Sequence, residues 1–233
     1  MKYREITEGK FISRPNRFIA RVEIDGKTET VHVKNTGRCG ELLIEGSRVF
    51  LSVSDNPNRK TKYDLIAVEK KTERGTVLVN MDSQVPNDVA EEWLRRGELF
   101  SENAVIRREV KYGNSRFDFY IEDGERKAFL EVKGVTLEND GVASFPDAPT
   151  ERGVKHLKEL AGCLKDGYEA YMLFVIQMKG VHSFRPNDER HKAFGDALRE
   201  AVKEGVRVIV TDCEVAPDSL TIDKRLTSKQ IVI

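Results

Sequence analysis

The chain has 233 residues, 39% hydrophobic and 33% charged, which is an ordinary composition for a globular protein of one large or two small domains. Its 39 basic residues equal its 39 acidic residues, which excludes a protein that coats nucleic acid through bulk charge alone. We expect no membrane span and a cytoplasmic location, because long apolar runs and a signal core are absent; the three cysteines lack disulfide or zinc spacing and are expected to be reduced.

The first 82 residues contain short alternating segments separated by turn residues, a pattern typical of a small β-barrel. Asp25-Gly26 marks a tight hairpin between the first two of these segments. Five strands are predicted, at residues 18–24, 27–33, 48–53, 63–70 and 75–79. This count predicts an OB-type barrel over residues 1–82.

Basic and amide side chains in the barrel loops are candidate nucleic-acid contacts. Gly37 beside Arg38 is the most suggestive pair, because glycine lets backbone N–H groups approach a phosphate and arginine binds it with two hydrogen bonds. A merely solubilising role for the basic loops is the open alternative. The candidates are Arg14, Arg17, Arg21, Lys34, Asn35, Arg38 and the loop 55–62.

Residues 83–233 predict an α/β domain with a mixed sheet, so that the fold class is α/β, or α+β for the chain as a whole. Asn87 is predicted to cap a helix over residues 88–96, and Glu91 or Glu92 of that helix is a candidate acidic site residue. The predicted order is a helix, three strands, a helix, a strand, a helix and a strand. The remaining elements are a strand at 105–110, a hairpin at 116–134, a helix after Thr150, a strand at 168–178, a helix at 188–204 and a strand at 206–211.

The hairpin at residues 116–134 has apolar residues alternating with polar ones on both strands, which predicts one core face and one charged face. The apolar set is Phe117, Phe119, Ile121, Ala128, Leu130 and Val132. A two-residue turn at Gly124-Glu125 fixes the register and places Asp118 opposite Glu131. Facing carboxylates repel each other, and a divalent cation, Mg²⁺ or Mn²⁺, would compensate them. Lys133 lies two residues further on the same face, where its ammonium group could stabilise charge on a phosphate.

The segment 145–153 follows the hairpin and cannot be helical at its start, because prolines restrict the residues before them. Asp147 in this segment is a candidate third acidic ligand. Thr150 is a suitable N-cap for the next helix, on which Arg152 and His156 point the same way. We interpret these two side chains as phosphate contacts, with a structural histidine as the alternative.

The arrangement of Asp118, Glu131 and Lys133 resembles the PD-(D/E)xK nuclease superfamily. A more specific resemblance rests on the words HVKNTGR at 32–38, ELL at 41–43, SRFD at 115–118, LEVKGVTL at 130–137, FPDAPTERG at 145–153 and FRPN at 184–187. Together they are similar to the sugar fermentation stimulation protein family of bacteria and archaea, over nearly the whole chain. One departure is that a family pattern nearer LPNPGR is here VKNTGR at 33–38.

That resemblance implies an OB-type barrel, a nuclease-like domain, DNA binding without sequence specificity and a regulatory role in maltose metabolism. Asp118, Glu131 and Lys133 are then the catalytic candidates, and Asp118, Glu131 and Asp147 the metal ligands. The nucleic-acid contacts are Arg14, Arg17, Lys34, Asn35, Arg38, Arg116, Arg152 and His156.

Three functions remain open from the sequence. The chain is a metal-dependent nuclease acting on DNA or RNA, a catalytically silent DNA-binding regulator that keeps the nuclease fold, or a protein-interaction module. The intact Asp118, Glu131 and Lys133 favour the first over the second, because a silent descendant need not keep all three.

Overall fold

The N-terminal part of the chain is a closed β-barrel with one additional strand. The computed structural model describes residues 1–35, 37–56, 58–73 and 75–233; Thr36 and Pro57, in two loops with candidate contacts, lie outside the described residues. The strands are β1 (Ile6–Asn16), β2 (Ile19–Ile24), β3 (Lys27–Val33), β4 (Arg48–Val53), β5 (Tyr63–Thr72) and β6 (Gly75–Asn80). Antiparallel pairs join β1 to β2 and β4, β2 to β3, and β4 to β5. A short parallel pairing of β3 with β5, at His32–Asp64 and Val33–Leu65, closes the barrel.

This topology confirms the predicted barrel but corrects its strands. The predicted set omitted β1 and counted β6, which extends the sheet beyond β5. The sequence of β1 lacks the alternation of a strand, because Phe11 is its one buried residue and Pro15 lies near its end. Gly9 of β1 approaches β2 closely, since a Cβ at this position would lie 2.4 Å from Val22 Cγ1.

The C-terminal part of the chain is a mixed sheet covered by helices on both faces. Its strand order is β15-β14-β12-β9-β8-β7, in which β9, β12 and β14 are mutually parallel and the outer pairs are antiparallel. A smaller sheet has the order β10-β11-β13. The elements are α1 (Val85–Arg95), β7 (Val105–Tyr112), β8 (Ser115–Asp123), β9 (Arg126–Val135), β10 (Glu138–Asn139), β11 (Val142–Phe145), α2 (Glu151–Cys163), β12 (Glu169–Ile176), β13 (Ser183–Pro186), α3 (Asp188–Glu204), β14 (Arg207–Ala216) and β15 (Ser219–Arg225).

The buried side chains of the central strands alternate between two cores. Met172 and Phe174 of β12 pack with Leu157 of α2 and Phe194 of α3. Leu173, from the same strand, packs on the opposite face with residues of α1. The sheet therefore separates α1 from α2 and α3, and the strand runs are apolar on both sides, as expected for parallel strands covered by helices.

Two details of the predicted elements are confirmed and two are corrected. The hairpin register is as predicted, with Phe119 opposite Leu130, and Thr150 caps α2 by accepting a hydrogen bond from the Gly153 N–H at 3.1 Å. The helix α1 begins at Val85, not at residue 88, because Pro86 is favoured in a first helical turn. Asn87 therefore lies inside the helix. The last predicted strand continues into a hairpin with β15 that the sequence did not predict. Within the described ranges no helix is long and apolar enough to cross a membrane.

A buried hydrogen-bond network joins the barrel to the C-terminal sheet. Asn80 Oδ1 accepts from Gln177 Nε2 at 3.0 Å and from the Asp82 N–H at 3.1 Å, and Asn80 Nδ2 donates to Tyr3 Oη at 3.0 Å. Gln177 Nε2 also donates to the Asp82 carbonyl at 3.0 Å. Burial, the largest cause, raises the pKa of the Asp82 carboxyl. The predicted domain boundary after residue 82 falls inside this network and stays a prediction.

Replacing Gln177 with alanine should destabilise the protein by about 1–3 kcal/mol, because it leaves buried acceptors on Asn80 and Asp82 with fewer donors. The exposed Gln84 is a matched control, since Gln84→Ala removes the same amide without a buried partner. Urea unfolding of the three proteins measures the difference. Equal stability of both variants would show that the network does not contribute to the folded state.

Candidate metal and nucleic-acid site

Asp118 lies where strands β8 and β9 separate. The paired register runs from Asp123–Arg126 to Phe119–Leu130 and ends there. Beyond it, Asp118 Oδ2 accepts the Val132 N–H at 2.7 Å, and Oδ1 accepts from Asn87 Nδ2 of α1 at 2.9 Å. The side chain of Asp118 thus takes the place that a backbone carbonyl would have in a continued ladder.

The predicted alternation of the hairpin breaks at the same position. Phe117 was expected on the same face as Phe119. Its ring instead lies 5.4 Å from Phe129 and 6.1 Å from His156, between ring centroids, while Phe119 packs in the opposite core. Both faces of the hairpin are covered, and the face predicted to be charged contains the buried Tyr120, Phe129 and Glu131.

Glu131 is a buried carboxylate with unequal oxygens. It is 2% exposed, and its Oε1 accepts from Lys133 Nζ at 2.5 Å and from His156 Nδ1 at 2.5 Å. Its Oε2 is buried and has no hydrogen-bond partner among the residues that the structure describes. A buried carboxylate oxygen without a donor is costly, so this atom is a natural ligand for a cation.

His156 is buried against Glu131 and orients it, which favours the alternative of a structural histidine over a phosphate contact. Arg152 Nε lies 3.3 Å from His156 Nε2 and donates to it, so the imidazole proton belongs on Nδ1, where it is donated to Glu131. The ring is 5% exposed with both nitrogens engaged. As predicted, Arg152 and His156 point the same way, and His156 meets the buried carboxylate of Glu131 there.

The two carboxylates have opposite pKa shifts. Burial, followed by the negative charge of Glu131, raises the pKa of Asp118, against the opposing effects of Lys133, the Val132 N–H and Asn87. Burial also acts to raise the pKa of Glu131, but the His156 hydrogen bond and the Lys133 ammonium outweigh it, and this pKa is lowered. Asp118 therefore retains its proton more strongly than Glu131 does.

Asp147 does not join the other two carboxylates. Among the described residues, no group of three or more His, Cys, Asp or Glu side chains is arranged to hold a metal ion, so the structure does not bring the predicted ligands Asp118, Glu131 and Asp147 together, and metal binding by these residues stays a prediction. Asp147 is exposed and lies against the barrel loop, since a Cβ on Gly37 would come within 2.4 Å of its Oδ2. It lines a cavity of about 190 Å³ between the barrel and the sheet, whose other walls include Asn35, Gly134, Thr136 and Gln177.

Three predicted contacts in the barrel have structural partners instead. Arg14 donates to the carbonyl groups of Arg38 at 2.5 Å, Arg17 at 2.7 Å and Asn35 at 2.7 Å. Asn35 Nδ2 donates to the Met81 carbonyl, and its Oδ1 accepts the Gly37 N–H. Lys34 lies between the carboxylates of Asp64 and Asp82, at 3.7 and 3.4 Å.

The remaining predicted contacts differ in availability. Arg17 and Arg38 are exposed, and neither forms an ion pair within the described residues. Arg116 is exposed and pairs with Glu109 at 3.0 Å, and Arg152 is exposed beyond its contact with His156. Of the other candidates named from the sequence, Arg59 is bound by Asp64, Glu91 by Arg95 and Arg108, and Glu92 by the N-terminal amine, whereas Arg21, Lys60 and Lys62 are exposed.

The sequence interpretation missed Asn87 as a site residue. Its amide contacts Asp118 because the first turn of α1 faces the point where β8 and β9 separate. Pro86 was the available signal, since a proline marks the first turn of a helix and makes the next residue a poor choice for the cap.

Two family sequence models match the chain. One is described as the SfsA N-terminal OB domain, over residues 12–80, and the other as the sugar fermentation stimulation protein RE domain, over residues 84–219. A sugar fermentation stimulation protein homolog of Desulfitobacterium hafniense is 60% identical over 231 residues, 99% of both chains. A homolog of Clostridium beijerinckii is 59% identical over 222 residues, 95% of this chain and 96% of the other. Pyrococcus furiosus SfsA, solved in complex with Ca²⁺, has a TM-score of 0.87 at 26% identity, covering 100% of this chain and 98% of that one. The predicted family and fold class are confirmed.

Asp118→Asn and Glu131→Gln should change stability in opposite directions in chelator. The raised pKa of Asp118 means that its ionisation destabilises the fold as pH rises above about 4, so Asp118→Asn should be at least as stable as wild type at neutral pH. The asparagine oxygen can still accept the Val132 N–H, and the Asn87 amide can rotate to match it.

The lowered pKa of Glu131 stabilises the fold above its unfolded value of about 4.3, and this contribution is lost as pH falls through the folded pKa. Glu131→Gln should therefore cost about 1–3 kcal/mol at neutral pH and little in acid. Thermal unfolding across pH measures both effects, with Glu125→Gln in the exposed hairpin turn as control. A lower melting temperature for Asp118→Asn would make that carboxylate a structural acceptor.

Proposed function

The chain belongs to the sugar fermentation stimulation protein family, and from that premise we propose that it binds DNA without sequence specificity and hydrolyses phosphodiester bonds with a divalent cation. One observation carries the catalytic part of this proposal. Glu131 presents a buried, unpartnered oxygen beside a second carboxylate, Asp118, whose ionisation is disfavoured until positive charge arrives.

These residues fit a divalent cation of the Mg²⁺ or Mn²⁺ type. Mg²⁺ is commonly held by one or two carboxylates, with water and substrate phosphate completing its coordination, so Asp118 and Glu131 suffice as protein ligands. The complex of Pyrococcus furiosus SfsA with Ca²⁺ supports cation binding in a relative. When bound, the cation would supply positive charge to the phosphodiester and make water more acidic.

Lys133 and His156 have different tasks in this proposal. The Lys133 side chain is 19% exposed and spends one of its three donors on Glu131, so the others remain for a phosphate oxygen. His156 contacts Glu131 from inside the protein and holds its Oε1, which leaves Oε2 as the free ligand atom. His156 is therefore a positioning residue and Lys133 the candidate for charge stabilisation on the substrate.

DNA binding would rest on local charge, since the chain as a whole is neutral. Arg17 and Arg38 are exposed on the barrel, and Arg116 and Arg152 are exposed on the C-terminal part. Contacts of arginine with phosphate carry no sequence information, which supports binding of DNA, or RNA, independent of sequence.

A second candidate function is a catalytically silent DNA-binding regulator of sugar metabolism, such as maltose metabolism. The observation that favours it is the absence, within the described residues, of a three-carboxylate cluster. The two candidates share DNA binding and differ in cleavage, so a metal titration separates them.

Mg²⁺ or Mn²⁺ should raise the melting temperature of wild type and leave Asp118→Asn nearly unchanged, because a ligand stabilises the folded state that binds it. Cleavage of plasmid or single-stranded DNA should disappear in Asp118→Asn and Lys133→Ala and persist in Lys127→Ala, an exposed lysine of the same strand. DNA binding in chelator should survive in all four proteins. If wild type neither gains stability nor cuts DNA with any divalent ion, the nuclease proposal fails and the DNA-binding regulator remains.

Arg38→Ala should weaken binding about equally for unrelated DNA sequences and reduce the slope of log K against log salt by about 1. Arg225→Ala, an exposed arginine on β15, should not alter either quantity. Fluorescence anisotropy at several salt concentrations gives both. One strongly preferred sequence, or binding insensitive to salt, would contradict binding through phosphate contacts.

A further inference from the structure

We infer that Phe18 is a stacking platform for an unpaired base, so that the barrel selects single-stranded nucleic acid. This inference rests on the proposed nucleic-acid binding and adds its substrate class. Aromatic faces stack on bases irrespective of sequence, and single-stranded binding proteins combine them with basic grooves.

Phe18 has no role in the core that explains its presence. It is 50% exposed, between β1 and β2, and among the described residues it is the one aromatic side chain in the set of exposed large hydrophobics. The other members are the aliphatic Ile44, Val105, Val202 and Val232. A tight connection between strands favours glycine, asparagine or aspartate, so a phenylalanine here is not dictated by the turn.

The backbone of Phe18 is held in place although its ring is exposed. Its N–H donates to Asn16 Oδ1 at 2.9 Å, and its carbonyl accepts from the Val33 N–H at 2.8 Å. The same Asn16 oxygen accepts the Ile19 N–H at 3.1 Å. A ring on a fixed backbone loses little conformational freedom when a base stacks on it, which favours binding.

One exposed arginine, Arg17, lies beside this ring, and the backbone of a second, Arg38, is tied to the same connection. The guanidinium of Arg17 lies 5.9 Å from the ring centroid, within the range of a cation–π contact. Arg14 donates to the carbonyls of both Arg17 and Arg38, and so brings the β1–β2 connection and the loop after β3 to one guanidinium. The carbonyl groups of the two exposed arginines are thereby held together, and both guanidinium groups are available to bind phosphates of a strand that stacks on Phe18.

The loop that carries Arg38 also meets the C-terminal part of the chain. Gly37 abuts Asp147, which lies three residues before the N-cap Thr150 of α2. The same helix supplies His156, the partner of Glu131. The contact of the Arg38 loop with Asp147, followed by helix α2, thus connects the surface around Phe18 to the candidate metal site.

A protein partner is the competing occupant of an exposed aromatic. Arg17, beside Phe18, and Arg38, on the neighbouring loop, are without carboxylate partners in the described residues, and this favours an anionic polymer over an apolar peptide. Stacking on Phe18 requires the base itself, so binding should weaken when the bases are removed from the strand. A site for a protein partner has no such requirement.

The test measures binding of the full chain, in chelator, to three fluorescein-labelled ligands of about 20 nucleotides: oligothymidylate, the same backbone without bases, and duplex DNA. Wild type should bind oligothymidylate more tightly than the abasic strand. Phe18→Ala should weaken oligothymidylate binding by about 5- to 150-fold and leave abasic binding and the salt slope unchanged, because no charge is lost. Phe18→Trp should retain or strengthen it, and Val105→Ala is the matched control.

Failure of the inference and failure of the proposed function give different results. Stacking at Phe18 is overturned, while nucleic-acid binding stands, if wild type and Phe18→Ala bind oligothymidylate equally. It is also overturned if Phe18→Ala weakens binding of the abasic strand as much as binding of oligothymidylate. If wild type binds none of the three ligands, the proposed DNA binding is overturned together with the inference. When oligothymidylate is bound, a comparison with oligouridylate separates RNA from DNA as the source of the base.

Discussion

The burial of a carboxylate at Glu131 is the constraint on which the candidate site depends. An ionised group in a protein interior is tolerated only when it is paired and hydrogen-bonded. Here Lys133 and His156 both bind one oxygen, and the second oxygen stays without a donor. Arg152 in turn fixes the tautomer of His156. The lowered pKa of Glu131 and the raised pKa of Asp118 follow from this asymmetric compensation.

The barrel is positioned relative to this site by a buried polar network as well as by apolar packing. Asn80, Asp82 and Gln177 are almost fully buried and satisfy one another across the junction. Such networks are geometrically demanding, because a small displacement breaks several hydrogen bonds at once. Gly134 shows the same tight fit, since a Cβ there would lie 2.5 Å from Gln177 Oε1. Gln177 and Gly134, which take part in this fit, also line the cavity beside Asp147.

Local sequence patterns predicted most of the helices and strands. They did not predict contacts between residues far apart in the chain. The β8–β9 register followed from alternation and one glycine turn, and the cap at Thr150 followed from residue type. Strand β1 was missed because one buried phenylalanine does not make a periodic pattern. The site was predicted at Asp118, Glu131 and Lys133, but the partner of Glu131 depends on how α2 docks on the sheet, and no local pattern encodes that.

Arg14 both holds two loops together and contributes a positive charge, two roles that are usually filled by different residues. Its planar guanidinium satisfies three carbonyl groups on two loops, and its charge has no carboxylate partner among the described residues. The positive potential at this end of the barrel thus comes partly from a group that is bound to backbone carbonyls. Arg14→Lys would keep the charge but lose the rigid fork of donors. Substitution of Arg14 is accordingly limited by the shape of its donor group even where charge alone would allow a lysine.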